Sequence, residues 1–167
     1  MKPKILLPVL IIISTMIGCK KDDPAASITY SKVAITKVTL LGISNGNNGV
    51  NWDNALAGNY PDVYFKITQA GTTTSIFDLP TNQRYENIQN SSLPLSWNFN
   101  SPYLIITNLS SSIDVDLYDF DSLSTDEYMG TTRFSFATYT TGSSKYPPSA
   151  TVISGSYIVK LDFIWSN

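Results

Sequence analysis

Alternation of apolar and polar residues is the feature that most constrains how this chain can fold. Val63, Phe65 and Ile67 alternate with more polar neighbours, as the buried and exposed faces of a strand require. The same period of two recurs in 113–118 and 157–165. Clusters of Asn, Gly, Ser, Pro and Asp, which favour turns, separate these short runs. This arrangement predicts an all-β sandwich or barrel.

The strands can be placed along most of the chain, and no helix is expected. Two long segments, 45–61 and 119–128, are rich in loop-forming residues, and long loops in compact domains are often functional. The predicted fold is an eight-stranded antiparallel β-sandwich. Eight or nine strands are expected, at 31–41, 63–68, 75–78, 84–88, 95–99, 103–107, 113–118, 131–136 and 157–165.

The N-terminus has the pattern of a signal peptide. Lys2 and Lys4 precede an apolar run at 5–13, which is too short to span a bilayer, since spanning takes about 20 residues. Met16-Ile17-Gly18-Cys19 resembles the lipobox of bacterial lipoproteins, which implies cleavage before Cys19 and lipid, including palmitate, on that cysteine. The alternative is a buried N-terminal helix with Cys19 in its last turn. The basic start, the run length and the single cysteine favour the lipoprotein.

This interpretation divides the chain into three parts and predicts where in the cell the protein is located. Residues 1–18 are the signal peptide, 19–30 are the lipidated cysteine and tether, and 31–167 are the sandwich domain. Lys21-Asp22-Asp23 close behind Cys19 resembles the surface-export signal of some Gram-negative lipoproteins. That resemblance implies an outer-membrane lipoprotein that faces outward. An ordinary solvated linker is the alternative.

Composition excludes several classes of function. After the predicted cut, nine basic and 13 acidic residues leave a net charge of −4, which argues against nucleic acid as a partner. The sequence has no histidine, so histidine metal sites and Ser-His-Asp or Cys-His catalysis are excluded. With its single cysteine lipidated, the chain can form no internal disulfide. We therefore expect a protein that is not an enzyme.

The segment 119–128 is the most informative stretch after the anchor. Asp119, Asp121, Asp126 and Glu127 crowd the end of an apolar strand, and like charges held close together disfavour ionisation. A calcium ion, which takes six to eight oxygen ligands, would relieve that repulsion. The EF-hand pattern is not met, since Leu123 stands at its fifth position. The alternative is a solvated acidic turn without metal.

This acidic segment resembles the third calcium loop of C2 domains, the calcium-dependent lipid-binding β-sandwiches. Their loop reads Asp-x-Asp, a spacer, then an acid followed by an aromatic residue, a hydrophobic residue and Gly, as in 119–130 here. Residues 61–66 resemble the family's first calcium loop, and 93–98 resemble a further family motif with one extra residue. The resemblance implies a C2-like fold with bound calcium as its cofactor. Its implied ligands are Asp53, Asp62, Asp119, Asp121, Asp126 and Glu127.

The two loops also carry apolar residues that suit a docking tip. The resemblance places Trp52, Leu56, Tyr60 and Leu123 near the bound calcium, where they would contact phospholipid or an envelope partner. Alternatively, Trp52 and Tyr60 fold back onto the core, or exposed aromatics bind sugars. Two hypotheses follow: a calcium-dependent docking module, and a calcium-independent interaction or glycan-binding sandwich.

Overall fold

Two antiparallel sheets pack against each other in the computed structural model. It describes residues 29–44, 46, 47, 50–52, 60–101 and 103–167. One helical turn, α1 (Phe136–Tyr139), follows the ninth strand, and 3₁₀ turns lie at Thr81–Gln83 and Asn90–Ser92. The strands are β1 (Lys32–Gly42), β2 (Gly46–Asn47), β3 (Val50–Asn51), β4 (Val63–Gln69), β5 (Ser75–Asp78), β6 (Leu95–Asn98), β7 (Leu104–Ile106), β8 (Ser112–Asp119), β9 (Glu127–Ser135), β10 (Ser149–Ser154) and β11 (Tyr157–Ser166).

Each of the two sheets is four strands wide. One sheet has the order β10-β11-β1-β6, and β7 also pairs with β1. Because β6 pairs with 37–40 of β1 and β7 pairs with 33–35, they share one edge position. The other sheet has the order β5-β4-β8-β9, and β2 and β3 form a small separate ribbon. The prediction of an eight-stranded antiparallel β-sandwich is confirmed.

Most strands lie where alternation predicted them, with several differences. The short strands β2 and β3 lie in the predicted loop 45–61, and the helical turn α1 was not expected. Residues 84–88 form no strand; Tyr85 makes only an isolated bridge with Val63. Strand β9 begins at Glu127, four residues before the predicted start. Strand β10 was not predicted, because it is an edge strand in which no side chain is fully buried, so it lacks a buried face.

A bulge in β1 explains why its apolar residues change phase. Val33 and Ile35 are buried at odd positions, whereas Val38 and Leu40 are buried at even ones. The register against β11 shifts between Ile35 and Lys37. One extra residue at that point turns the remainder of the strand over, so both halves face the core. The core combines buried residues of both sheets, including Phe65, Leu117, Phe134, Val159 and Leu161.

Within the described residues, no helix is long and apolar enough to cross a membrane.

Candidate functional site

Asp62, just after the first predicted loop, meets the Asp-rich loop at one end of the second sheet. Val63, the first residue of β4, pairs with Asp119, the last residue of β8. The backbone N–H of Asp62 donates to Asp119 Oδ1 at 2.6 Å, and the N–H of Phe120 donates to the Asp62 carbonyl at 2.9 Å. Pairing of β4 with β8 therefore brings Asp62 to the start of the Asp-rich loop.

An arginine neutralises the Asp62 carboxylate. Arg84 Nε lies 3.2 Å from Asp62 Oδ2, and its guanidinium lies 4.3 Å from the centre of the Phe120 ring. The other carboxylate oxygen, Oδ1, accepts the backbone N–H of Asn87 at 2.9 Å. Arg84 thus places positive charge beside Asp62, and it also contacts Glu86 Oε1 at 2.7 Å. No motif in the sequence marked the pairing of Arg84 with Asp62.

Asp126 is also held by protein donors. Its Oδ2 accepts the Tyr64 hydroxyl at 2.6 Å, and its Oδ1 accepts the N–H of Asp121 at 3.2 Å. Burial of the phenol, together with this hydrogen bond to Asp126, raises the pKa of Tyr64. Tyr64 therefore keeps its proton and acts as a permanent donor to the loop.

Five of the six predicted calcium ligands, Asp62, Asp119, Asp121, Asp126 and Glu127, lie within the described residues, and we call them the acidic tip. In the described chain, no group of three or more carboxylates is arranged to hold a metal ion. Asp62 and Asp126 face protein donors, Asp121 is half-buried, and Glu127 is exposed at the start of β9. Asp53, the sixth predicted ligand, lies outside the described residues.

The predicted tip contacts separate into three groups. Trp52 is buried, and its indole N–H donates to the Ser44 carbonyl at 3.1 Å, so the prediction that it is an exposed contact is wrong. The ring joins the hydrophobic core. Tyr60 is 40% exposed and Leu123 is fully exposed, as a docking tip requires. Leu56 and the lipidation site Cys19 lie outside the described residues.

A second candidate surface, on the outer face of the second sheet, was not predicted. Tyr64, Tyr118 and Tyr128 stand directly opposite one another on β4, β8 and β9, and we call them the tyrosine row. The rings of Tyr64 and Tyr118 stack with centroids 5.3 Å apart. The rings of Tyr118 and Tyr128 meet edge to face at 5.7 Å. The row forms an aromatic strip that runs across three strands.

Charged residues form the next row on the same face. Lys66 lies between Asp78 on β5 and Asp116 on β8, in register with both. Its Nζ lies 5.1 Å from the centre of the Tyr118 ring, a cation–π distance. Asp116 Oδ2 accepts the Thr68 hydroxyl at 2.8 Å, and Asp78 Oδ1 accepts the Ser75 hydroxyl at 2.9 Å.

A third row closes the face with an ion pair. Arg133 Nε and Nη2 contact the two oxygens of Asp114 at 2.7 and 2.8 Å, and the N–H of Gly71 donates to Asp114 at 2.9 Å. These contacts hold the pKa of Asp114 below its usual value, with the Arg133 hydrogen bonds the largest cause. Because the pair is mutually satisfied, it forms a fixed border to the face.

The first two rows line an open groove of about 470 Å³. Tyr128 is 51% exposed, and Tyr118 is half-buried beside it. Burial, with the nearby charge of Asp116, raises the pKa of both phenols. Both hydroxyls therefore stay neutral and can donate. We call this surface the groove; its walls are Lys66, Thr68, Thr72, Thr73, Ser75, Asp78, Asp116, Tyr118 and Tyr128.

A bulge in β9 brings Tyr128 to this face. Thr132 and Phe134 point inward at even positions, and Tyr128 would follow them in a regular strand. The register with β8 shifts by one residue between the Leu117 and Tyr118 partners, and Met129 takes the buried place instead. Bulges re-aim side chains in this way. The alternation of β4 and β8 indicated the outward residues on those strands, but no sequence signal marked this bulge.

Comparisons with known proteins give only distant similarities in fold. No protein-family model and no curated protein matches the sequence. Among solved structures, a C2 domain of plant extended synaptotagmin 1 is 10% identical with a TM-score of 0.40, covering 84% of this chain and 97% of that one.

A human phospholipase is a second similar structure. Human GIVD cytosolic phospholipase A2, solved with an inhibitor and terbium chloride, is 14% identical with a TM-score of 0.44; the match covers 83% of this chain but only 18% of the phospholipase. At such identities and scores, these similarities assign neither a family nor a ligand to this chain.

Proposed function

We propose that this protein is a non-catalytic binding module, tethered to the outer membrane by lipid on Cys19, that holds a partner on the groove without calcium. The observation that carries the proposal is the contrast between its two candidate surfaces. At the acidic tip, the carboxylates of Asp62 and Asp126 already accept from Arg84, Tyr64 and a backbone N–H group. The groove instead presents an exposed tyrosine ring beside charged and hydroxyl side chains that can hydrogen-bond a ligand.

Lipid on Cys19 is tested by labelling cells with an alkyne analogue of palmitate. We expect the full chain to carry label and to sediment with the outer membrane, because the implied acylation would provide a stable anchor. The Cys19→Ala variant should carry none and leave that fraction. A Cys19→Ala chain that is still labelled would refute the tether.

Calcium independence is tested by thermal unfolding of the full chain. A ligand bound only by the native state raises the melting temperature by mass action. We expect equal melting temperatures in millimolar calcium and in chelator, because the carboxylates of Asp126 and Asp62 already have protein donors. A rise in calcium would contradict the proposal.

Calcium-dependent docking on phospholipid or an envelope partner is the second candidate function. It is favoured by the contact between Asp62 and Asp119 and by the full exposure of Leu123 beside them. Its signature would be a calcium-induced rise in melting temperature that Asp121→Asn abolishes, together with sedimentation on liposomes only in calcium. Loss of that sedimentation in Leu123→Ser would place the contact at the tip.

A further inference from the structure

The groove combines flat aromatic surface with hydrogen-bonding groups of both kinds. Tyr128 offers one exposed ring, and Tyr118 continues the surface beneath it. Asp78 and Asp116 are acceptors, whereas Lys66 is a donor with three hydrogens. Sugars present the matching chemistry, since a pyranose has an apolar C–H face and a rim of hydroxyls that both donate and accept.

A cationic ligand fits the groove poorly, because the chain already places a cation there. Lys66 Nζ lies 5.1 Å from the centre of the Tyr118 ring and stands between two aspartates in the sheet register. An ammonium ligand would compete with this tethered lysine for the same ring and the same carboxylates.

The charge of the groove also disfavours acidic ligands. Its charged walls are Lys66, Asp78 and Asp116, so carboxylates outnumber the cation. The nearest other cation, Arg133, is committed to Asp114 through two short contacts. A sulfated or uronic-acid chain would bring negative charge to two carboxylates and one lysine, whereas an uncharged chain of sugars meets no such repulsion.

The shape of the face suits a chain rather than a single small molecule. The tyrosine row runs across β4, β8 and β9, and the groove continues along the second row to Asp78 on β5. The groove is open along the sheet and holds about 470 Å³. Tyr64 is buried, so the accessible part of the row is Tyr118 and Tyr128.

We infer that the groove binds a neutral oligosaccharide, with one sugar ring stacked on Tyr128 and its hydroxyls bonded to Asp116, Lys66 and Asp78. This inference rests on the proposed function, because it names the ligand class of the same groove. Tyr128 supplies the stacking surface. The Thr68 hydroxyl donates to the Asp116 carboxylate and so fixes its orientation. The side chains act by binding and orientation alone.

Native affinity electrophoresis of the lipidated full chain tests the inference. The chain is kept soluble in a polyoxyethylene detergent, since detergents with sugar headgroups would compete. Gels contain a neutral mannan, β-glucan or xylan, the acidic polymers alginate or polygalacturonate, or no polysaccharide. Each gel is run with chelator and with calcium. Variants are Tyr128→Ala, Tyr128→Phe and Asp116→Asn, with Tyr103→Ala as the matched control, since Tyr103 is an exposed tyrosine away from the groove.

We expect at least one neutral polymer to retard the parent chain equally with and without calcium. Tyr128→Ala should raise the dissociation constant by up to about tenfold, because stacking of one ring contributes on the order of that factor. Tyr128→Phe should retain most of the binding, and Asp116→Asn should weaken it. Tyr103→Ala should behave as the parent does. Near-parental melting temperatures of the variants show that the loss is local.

The outcomes that overturn the inference differ from those that overturn the proposed function. No retardation by any neutral polymer, or retardation that Tyr128→Ala retains, refutes the oligosaccharide assignment. Retardation by acidic polymers alone, lost in Tyr128→Ala and independent of calcium, refutes the neutral ligand and leaves the proposed function standing. Retardation that requires calcium refutes the proposed function itself.

Discussion

Replacing Tyr64 with Phe should destabilise the domain by about 1–2 kcal/mol. The ring is 3% exposed, and its hydroxyl donates to Asp126 Oδ2 at 2.6 Å. Phe keeps the ring stacked on Tyr118 and removes only the donor. Hydrogen bonds to charged groups contribute roughly 1.5–3 kcal/mol. Because Asp126 is only half-buried, water can replace part of that contact, and the lower end of the range applies.

Urea unfolding of the parent and variant measures this difference directly. The midpoint should fall with an unchanged slope, and the melting temperature should drop by about 3–6 °C. Tyr103→Phe, at an exposed position, is the matched control and should change stability by less than about 0.5 kcal/mol. In a double-mutant cycle, Tyr64→Phe and Asp126→Asn should couple by about 1 kcal/mol. Additive effects, or an unchanged midpoint for Tyr64→Phe, would show that the bond does not form.

Three further predictions concern packing and titration. Gly130→Ala would place a Cβ against the Tyr157 ring, 2.8 Å from its Cδ2, and should cost about 1–3 kcal/mol in urea unfolding. Arg133 holds the pKa of Asp114 below its ordinary value of 3.8, so this carboxylate stabilises the fold above that pH and the contribution is lost as pH falls through the lowered pKa. Melting curves from pH 2 to 7 should show that loss, and Asp114→Asn should remove it. The pKa values of the three phenols in the tyrosine row are raised, so the neutral phenols stabilise the fold below their ordinary value of 10.0. That contribution is lost as the pH rises above 10.0. Absorbance of tyrosinate at 295 nm, recorded alongside unfolding, follows this loss.

Alternation of apolar and polar residues predicted the strands of both sheets well, because a regular strand with one buried face must have an apolar residue at every second position. Strands β4, β8 and β11 lie close to their predicted bounds, and their apolar positions are buried. The meeting of Asp62 with the Asp-rich loop was predictable for a related reason: both flank strands of the sandwich. Irregular pairing and edge position are what this reasoning missed, as β10 illustrates.

The chemistry of the candidate sites was harder to predict than the fold. Arg84 meets Asp62 across 22 positions of sequence, and no motif links them. Trp52 looked like an exposed anchor because it stands in a loop, yet its ring completes the core and its N–H finds a carbonyl. Both outcomes depend on long-range packing, which a local pattern does not contain.

The bulge at Met129 makes the groove depend on residue count as well as residue identity. If β9 paired regularly with Met129 in place, Met129 would stand opposite Tyr118 and Tyr128 would turn toward the core. Deleting Met129 would instead remove the extra residue and leave Tyr128 opposite Tyr118 in a regular strand. A related sequence shares this groove if its tyrosine lies four residues before Thr132 with the bulge, or three residues before it without one, since an aromatic residue at the aligned position alone does not show which way it faces.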